Sequence, residues 1–219
     1  MSFSPLPDAF QTDLRSSSTG LTVELGCGDG RFTRILDAAG ARVVMSDRIR
    51  SDVFAPGHGV LADAAAPPFR EVTLMVAANL LRHLWDKLGR SSPTDAWIDC
   101  LAAGGCLYIF EDEPAEQPGP ARNYRDLQEL LAQIVPWRKG LLAKREFERF
   151  AANGVRPGAW TFGLTKNQFS PAGRHDVLSL LVDERGVIAN DAAALVRKVA
   201  EEGIDYGHYW WARYEREWI

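Results

Sequence analysis

Cysteine and histidine are scarce here, three and four residues in a chain of 219. Cys27, Cys100 and Cys106 form no CxxC pair, and an odd count without ligand spacing reads as reduced thiols in a reducing compartment. His58, His83, His175 and His208 are scattered, so no metal-binding pattern emerges. Excess positive charge is missing too. Lys and Arg number 25 against 29 Asp and Glu, a net charge of −4, which argues against bulk attraction to nucleic acid or anionic membrane. No apolar run approaches the roughly 20 residues of a membrane-spanning helix. The start, MSFSPLPDAF, lacks a basic region followed by an apolar stretch, so no signal peptide is expected and a cytoplasmic location is. Repeats and low-complexity blocks are absent.

What is present suits a folded protein. Hydrophobic residues make up 46% and mean hydropathy is −0.18, outside the disordered class. A chain this long buries about 70–75% of its unfolded surface, enough for a core without disulfide or metal staples. One domain over 1–219 is expected: an N-terminal segment (1–20), a core (21–183), then a C-terminal helix and aromatic tail (184–219).

Short apolar runs alternate with amphipathic segments, the pattern of an α/β fold. Strands are expected at 21–25 (LTVEL), 41–45 (ARVVM, ending in Ser46-Asp47), 59–62 (GVLA, ending at Asp63), 72–77 (VTLMVA) and 106–110 (CLYIF). Phe32, Ile35, Leu36 and Ala39 fall on one helical face, as do Leu80, Leu81, Leu84, Trp85 and Leu88. Ser92-Pro93 opens a helix expected to run to about Ala103. Helices are expected near 124–134 and 144–152. Two strands, 160–168 and 177–182, are expected to form a C-terminal antiparallel pair across FSPAGRHD. A helix capped by Asn190 or Asp191 carries Leu195, Val196 and Val199 and stops at Gly203. The expected architecture is a doubly wound, Rossmann-like, seven-stranded and mostly parallel sheet. In such sheets ligands sit at the carboxyl ends of the strands, near the switch in strand order.

Three post-strand positions belong together. Glu24-Leu25-Gly26-Cys27-Gly28-Asp29-Gly30 places glycines at alternate positions, allowing a tight turn and a close approach of backbone to ligand. Asp47, ending the second strand, can accept two hydrogen bonds from a ribose diol. Asp63, ending the third, can accept from an exocyclic adenine amine. Carboxylates suit a cationic nucleoside without phosphates. In the dinucleotide fingerprint a third glycine would occupy the place of Arg31, and a large side chain there conflicts with close helix–strand packing.

With ELGCGDG, VVMSD and VLAD in these places, the chain resembles a class I S-adenosylmethionine-dependent methyltransferase over about residues 21–110. The resemblance implies S-adenosylmethionine as cofactor. Gly26, Cys27, Gly28 and Gly30 would line its methionine and ribose portion, and Glu24 would anchor the amino-acid end. Asp47, with Arg48 beside it, would hold the ribose. Asp63 and the Ala64 backbone would meet the adenine, and Asn79 the methionine amine.

Methyl transfer is an in-line displacement, so the protein mainly orients the reactants and excludes water. Acceptor-side candidates follow the fourth and fifth strands. Asn79 can hold the acceptor or simply cap a helix. The Asn-Pro-Pro-Tyr/Phe pattern of amino-methylating relatives is absent, since Leu80-Leu81-Arg82 follows. His83 can serve as general base or lie beside the apolar helix face. Arg82 reads as binding an acidic substrate or as the solvated side of a helix. Glu111-Asp112-Glu113 reads as orienting an acceptor, with Asp112 or Glu111 favoured, or as a charged solvated loop. The basic positions Arg138, Lys139, Lys144, Arg145 and Arg149 read as a solvated surface interleaved with Glu146 and Glu148, or as an RNA contact. The tail carrying Tyr206, Tyr209, Trp210, Trp211, Tyr214 and Trp218 reads as a lid, a homodimer contact, or a segment packed over the sheet edge. The resulting expectation is a methyltransferase acting on a small molecule. An RNA methyltransferase and a non-catalytic binding module on the same fold stand as alternatives.

Overall fold

The computed structural model describes residues 6–17, 20–28, 30–49, 59–85, 92–134, 139–153, 160–166 and 192–217. The strands are β1 (Leu21–Leu25), β2 (Val43–Asp47), β3 (Gly59–Leu61), β4 (Val72–Ala78), β5 (Leu101–Glu113), β6 (Trp160–Lys166) and β7 (His208–Glu215). The helices are α1 (Asp8–Ser16), α2 (Arg31–Ala38), α3 (Leu81–Leu84), α4 (Thr94–Asp99), α5 (Pro120–Ile134), α6 (Lys144–Asn153) and α7 (Ala192–Glu202). One seven-stranded sheet runs β3-β2-β1-β4-β5-β7-β6. β1 to β5 pair in parallel, and β7 is antiparallel to both β5 and β6. The strand order therefore switches between β1 and β4, which sets a crevice beyond the carboxyl end of β1.

Two apolar layers cover the sheet, and strand alternation decides which residue enters which. Met75 and Ala77 on β4, with Leu107 and Ile109 on β5, join Trp97 and Ile98 of α4 and Phe147 of α6. Leu74, Val76, Cys106, Tyr108 and Phe110 join Phe10 and Leu14 of α1 and Leu36 of α2 in the other layer. Trp97, Phe10 and Phe147 are fully buried, and each such side chain gains about 1.5–3 kcal/mol from leaving water.

Helix α1 carries Phe10 and Leu14 one turn apart, a periodicity short enough to pass unnoticed in the sequence. Asp13 fixes it. Its Oδ2 accepts from the Tyr108 hydroxyl at 2.6 Å and from Arg213 Nε at 2.7 Å, tying α1 to β5 and β7. The Cys106 thiol below is pushed up to about 12 by burial and by Asp13, so it stays protonated and unreactive.

Four expectations need correction. The aromatic tail pairs antiparallel with β6, while residues 177–182, the FSPAGRHD loop, Asn190 and Asp191 lie outside the described residues. As β7 the tail enters the sheet between β5 and β6, where Trp210 is fully buried and donates from Nε1 to the Leu142 carbonyl at 2.7 Å. Both edges of β7 are paired, so the tail is an interior strand of the sheet and does not lie over its edge. Next, α4 ends at Asp99, because pairing with β4 draws Leu101 onward into a 13-residue β5. Glu111, Asp112 and Glu113 belong to that strand, opposite Trp210, Tyr209 and His208, instead of forming a solvated loop. Last, α3 is a single turn. Trp85 leaves helical geometry with ψ 124° and packs edge-on against Phe147 and Phe150 of α6, a tertiary contact that overrides the local period; residues 86–91 lie outside the described residues.

Candidate functional site

The glycine turn grows out of β1. Gly26, Gly28 and Gly30 have φ of 63°, 50° and 68°, the left-handed region where a Cβ costs energy. The Cys27 N–H donates to the Ser46 carbonyl at 3.1 Å, so the turn is stitched to β2. Asp47 completes the stitch. Its Oδ2 accepts from the Gly28 N–H at 2.9 Å and its Oδ1 from the Ile49 N–H at 3.2 Å. An ionised carboxylate offers about four lone-pair positions, so each Asp47 oxygen keeps one for a further donor. Among the described residues, a Cβ added at Gly28 would find nothing nearer than the Gly26 carbonyl at 4.0 Å, so they leave its backbone open on that side. Over Gly26 lies the Leu80 side chain, within 2.7 Å of where a Cβ would be.

Asp63 is exposed, and its Oδ1 accepts from the Ala65 N–H at 2.9 Å, which fixes the carboxylate beyond β3. The Ala64 carbonyl is taken by the Trp97 indole N–H at 2.6 Å. Glu24 turns the other way. It is 2% exposed and accepts a hydrogen bond from Thr33 Oγ1 on α2, so it braces α2 against β1. Arg48 and Ile49 are exposed, Ile49 at 72%. An exposed isoleucine two residues after Asp47 is a feature the sequence reading passed over.

The second half of the site lies at the ends of β4 and β5. Asn79 adopts φ 52°, a strained place for a side chain that only asparagine and a few others fill easily. It is exposed; its N–H donates to the Phe110 carbonyl at 2.8 Å and its Oδ1 accepts from the Asp112 N–H at 3.3 Å. Asp112 is buried and accepts from the Tyr124 hydroxyl of α5 at 2.8 Å. Arg82 is not on a solvated helix side: its side chain is 10% exposed and its nitrogens lie 3.9 Å from Glu111 and 3.6 Å from Asp112. His83 sits beside it, its Nε2 accepting from Arg82 Nε at 3.4 Å. Burial opposes the Arg82 charge, but Glu111, Asp112 and Tyr124 outweigh it and raise the guanidinium above its ordinary value. Burial pushes Glu111 up to about 7, although Arg82 pulls the other way. For Tyr124, burial and Asp112 hold the hydroxyl well above its ordinary value, so it remains a donor.

The sheet thus places Gly26, Cys27, Gly28, Asp47, Arg48 and Asp63 at the carboxyl ends of β1, β2 and β3, and Asn79, His83 and Asp112 at those of β4 and β5. Asp29 lies outside the described residues. Arg82, Glu111 and Tyr124 enter the site as a set no local motif announced, because their partners are 12 to 29 residues apart in sequence.

No family model matches the chain, and no curated protein matches it in sequence. Solved structures do match. A cyclopropane-fatty-acyl-phospholipid synthase-like protein from Lactobacillus casei superimposes with TM-score 0.60 at 14% identity, covering 98% of this chain and 96% of that one. A candidate methyltransferase from Bacillus halodurans gives 0.57 at 13% identity over 96% and 100%. A SAM-dependent methyltransferase from Archaeoglobus fulgidus gives 0.53 at 13% over 95% and 94%. Strand order, the antiparallel β7 and these matches along nearly the whole chain show that the fold is that of the class I S-adenosylmethionine-dependent methyltransferases.

Proposed function

We propose that this chain is an S-adenosylmethionine-dependent methyltransferase acting on a small-molecule acceptor. The observation that carries the reading is Asp47, held by the Gly28 and Ile49 amides at the mouth of an open left-handed glycine turn, with acceptor positions to spare. Those free acceptor positions fit a ribose diol, and the open backbone at Gly28 fits a ligand lying close along it. When bound, the cofactor would supply a methyl group already activated on a sulfonium, so no acid is needed to release it.

The chain's own residues would then bind and orient. Asp47 would accept from the ribose hydroxyls and Asp63 from the adenine amine, while Ile49 offers an apolar surface to a base. With its Oδ1 engaged by the Asp112 amide, Asn79 would turn its two N–H donors to the acceptor or to the methionine end. Asp112 and His83 stand next to it as groups able to hold a proton. A small acceptor is favoured over RNA because Lys144 and Arg145 of the basic stretch are matched within the chain, by Glu148 at 2.8 Å and Glu116 at 3.7 Å.

Calorimetry with S-adenosylmethionine and S-adenosylhomocysteine tests the reading. Both are expected to bind, and Asp47→Ala is expected to weaken binding roughly 10- to 150-fold, the worth of about 1.5–3 kcal/mol for hydrogen bonds to a charged group. Absence of binding by the intact chain removes the reading. Labelled-methyl turnover against a panel of small metabolites then separates an enzyme from a binder.

A further inference from the structure

Behind Asn79 lies a charge cluster with unusual economy. The Glu111 side chain has no solvent exposure. Its Oε1 accepts from the Arg82 backbone N–H at 3.1 Å, and the Leu81 amide also donates to this carboxylate. Its Oε2 and the Arg82 Nη1 are both buried and make no hydrogen bond, held instead in looser ion pairs of 3.9 Å and 3.6 Å. The segment that Glu111 grips is the one that matters for the donor crevice: Asn79 and Leu80 immediately precede it, and the Leu80 side chain lies against Gly26. Since Glu111 has no exposed surface, a ligand in the crevice would not touch it.

Building on the methyltransferase reading, we propose that Glu111 is a positioning residue whose ionised carboxylate holds the Leu81 and Arg82 amides, and with them Asn79 and Leu80, in the arrangement that binds the donor. A carboxylate accepts from backbone amides more strongly than its protonated form does, so the grip loosens when a proton is taken up. The titratable and charged groups facing Glu111 are Arg82 from α3, Asp112 on its own strand, Tyr124 from α5 through Asp112, and His83 through Arg82; the cross-strand neighbour on β7 is the uncharged Trp210. Burial displaces the ionisation of Glu111 to about 7, against the pull of Arg82 and the two amides, which puts the switch near neutral pH.

The test is S-adenosylhomocysteine affinity by calorimetry from about pH 5.5 to 8.5, a span that covers both protonation states. In the wild type, affinity is expected to rise about fivefold through a near-neutral midpoint, the low end of site-to-site couplings. Glu111→Gln is expected to flatten the profile. A flat wild-type profile with good binding overturns the inference, as does a midpoint that survives in Glu111→Gln. Absence of binding at every pH is a different failure: it strikes the methyltransferase reading itself and this inference with it. If circular dichroism shows Glu111→Gln unfolded, Arg82→Gln replaces it; loss of the cation is expected to move the midpoint upward, and an unmoved midpoint overturns the inference. Wild-type infrared spectra give a check without variants. Adding the ligand at the midpoint is expected to remove a protonated-carboxyl band, and an unchanged band overturns the inference.

Discussion

The two halves of the crevice are built by different means. On the side of β1, β2 and β3, the groups are backbone amides and carboxylates at the rim, Asp47 half-buried and Asp63 exposed, each fixed by an amide two residues on and Asp47 also by the glycine turn. On the side of β4 and β5, the groups behind the rim are a guanidinium, two carboxylates and a phenol drawn from α3, β5 and α5 and sealed from water. The first half can change partners because solvent stands in when a ligand leaves. The second cannot, since a buried charge that loses its partner has no substitute. Under the proposed function, the first half would be a rim that exchanges a cofactor and the second a wall that holds the acceptor side in shape.

The contrast can be broken most forcefully at Arg82. Arg82→Met strips the cation from Glu111 and Asp112, and breaking a buried pair in this way costs about 3–5 kcal/mol. Denaturant titration at about pH 8 is expected to show that loss, and at about pH 5.5 a smaller one, because Glu111 then carries a proton. An equal loss at both values would mean that Glu111 does not share the guanidinium.

A weaker effect separates the halves by pH. The folded value of Glu111, about 7, lies above the ordinary carboxylate range. The folded state therefore holds its proton more tightly than the unfolded chain does. Its contribution to stability is fully present below the unfolded value, about 4.3, and is lost as pH rises through the folded one. Between those limits stability of the wild type is expected to fall with pH relative to Glu111→Gln. Asp47→Asn is expected to leave that difference untouched, and melting curves across the window check both.

The smallest effect sharpens the rim. Gly28→Ala places a methyl at φ 50° with no atom of the described residues nearer than 4.0 Å. Stability is expected to fall by only about 1–2 kcal/mol, the left-handed penalty, while S-adenosylhomocysteine affinity falls further, since the methyl occupies the ligand's side of the turn. Equal affinity in the variant would show that the ligand does not run along Gly28.

The rim was legible in the sequence because its parts are local. A strand, a glycine turn and a helix start are contiguous at 21–38, and an acid closing an apolar run marks Asp47 and Asp63 without knowledge of any distant contact. The wall was misread for the opposite reason. Glu111-Asp112-Glu113 looks like solvent-loving chain, and only pairing with β7 makes it strand. Arg82 looks like the wet side of a helix that stops after one turn, when Trp85 finds α6. The aromatic tail gave no sign of its place, since nothing local distinguishes a strand that inserts between two others from one that lies over an edge.

By itself, then, the order of residues determined the alternation of strands and helices, the bend at Gly26 to Gly30, and the acids at the strand ends, because backbone sterics and hydrophobic period act over a few residues. The tertiary structure alone decided that β7 comes between β5 and β6, that Asp13 locks α1 across 95 and 200 residues of chain, and that Arg82 is shared by Glu111 and Asp112. Those outcomes depend on which charges lose water together, and desolvation belongs to the assembled fold, not to any stretch of it.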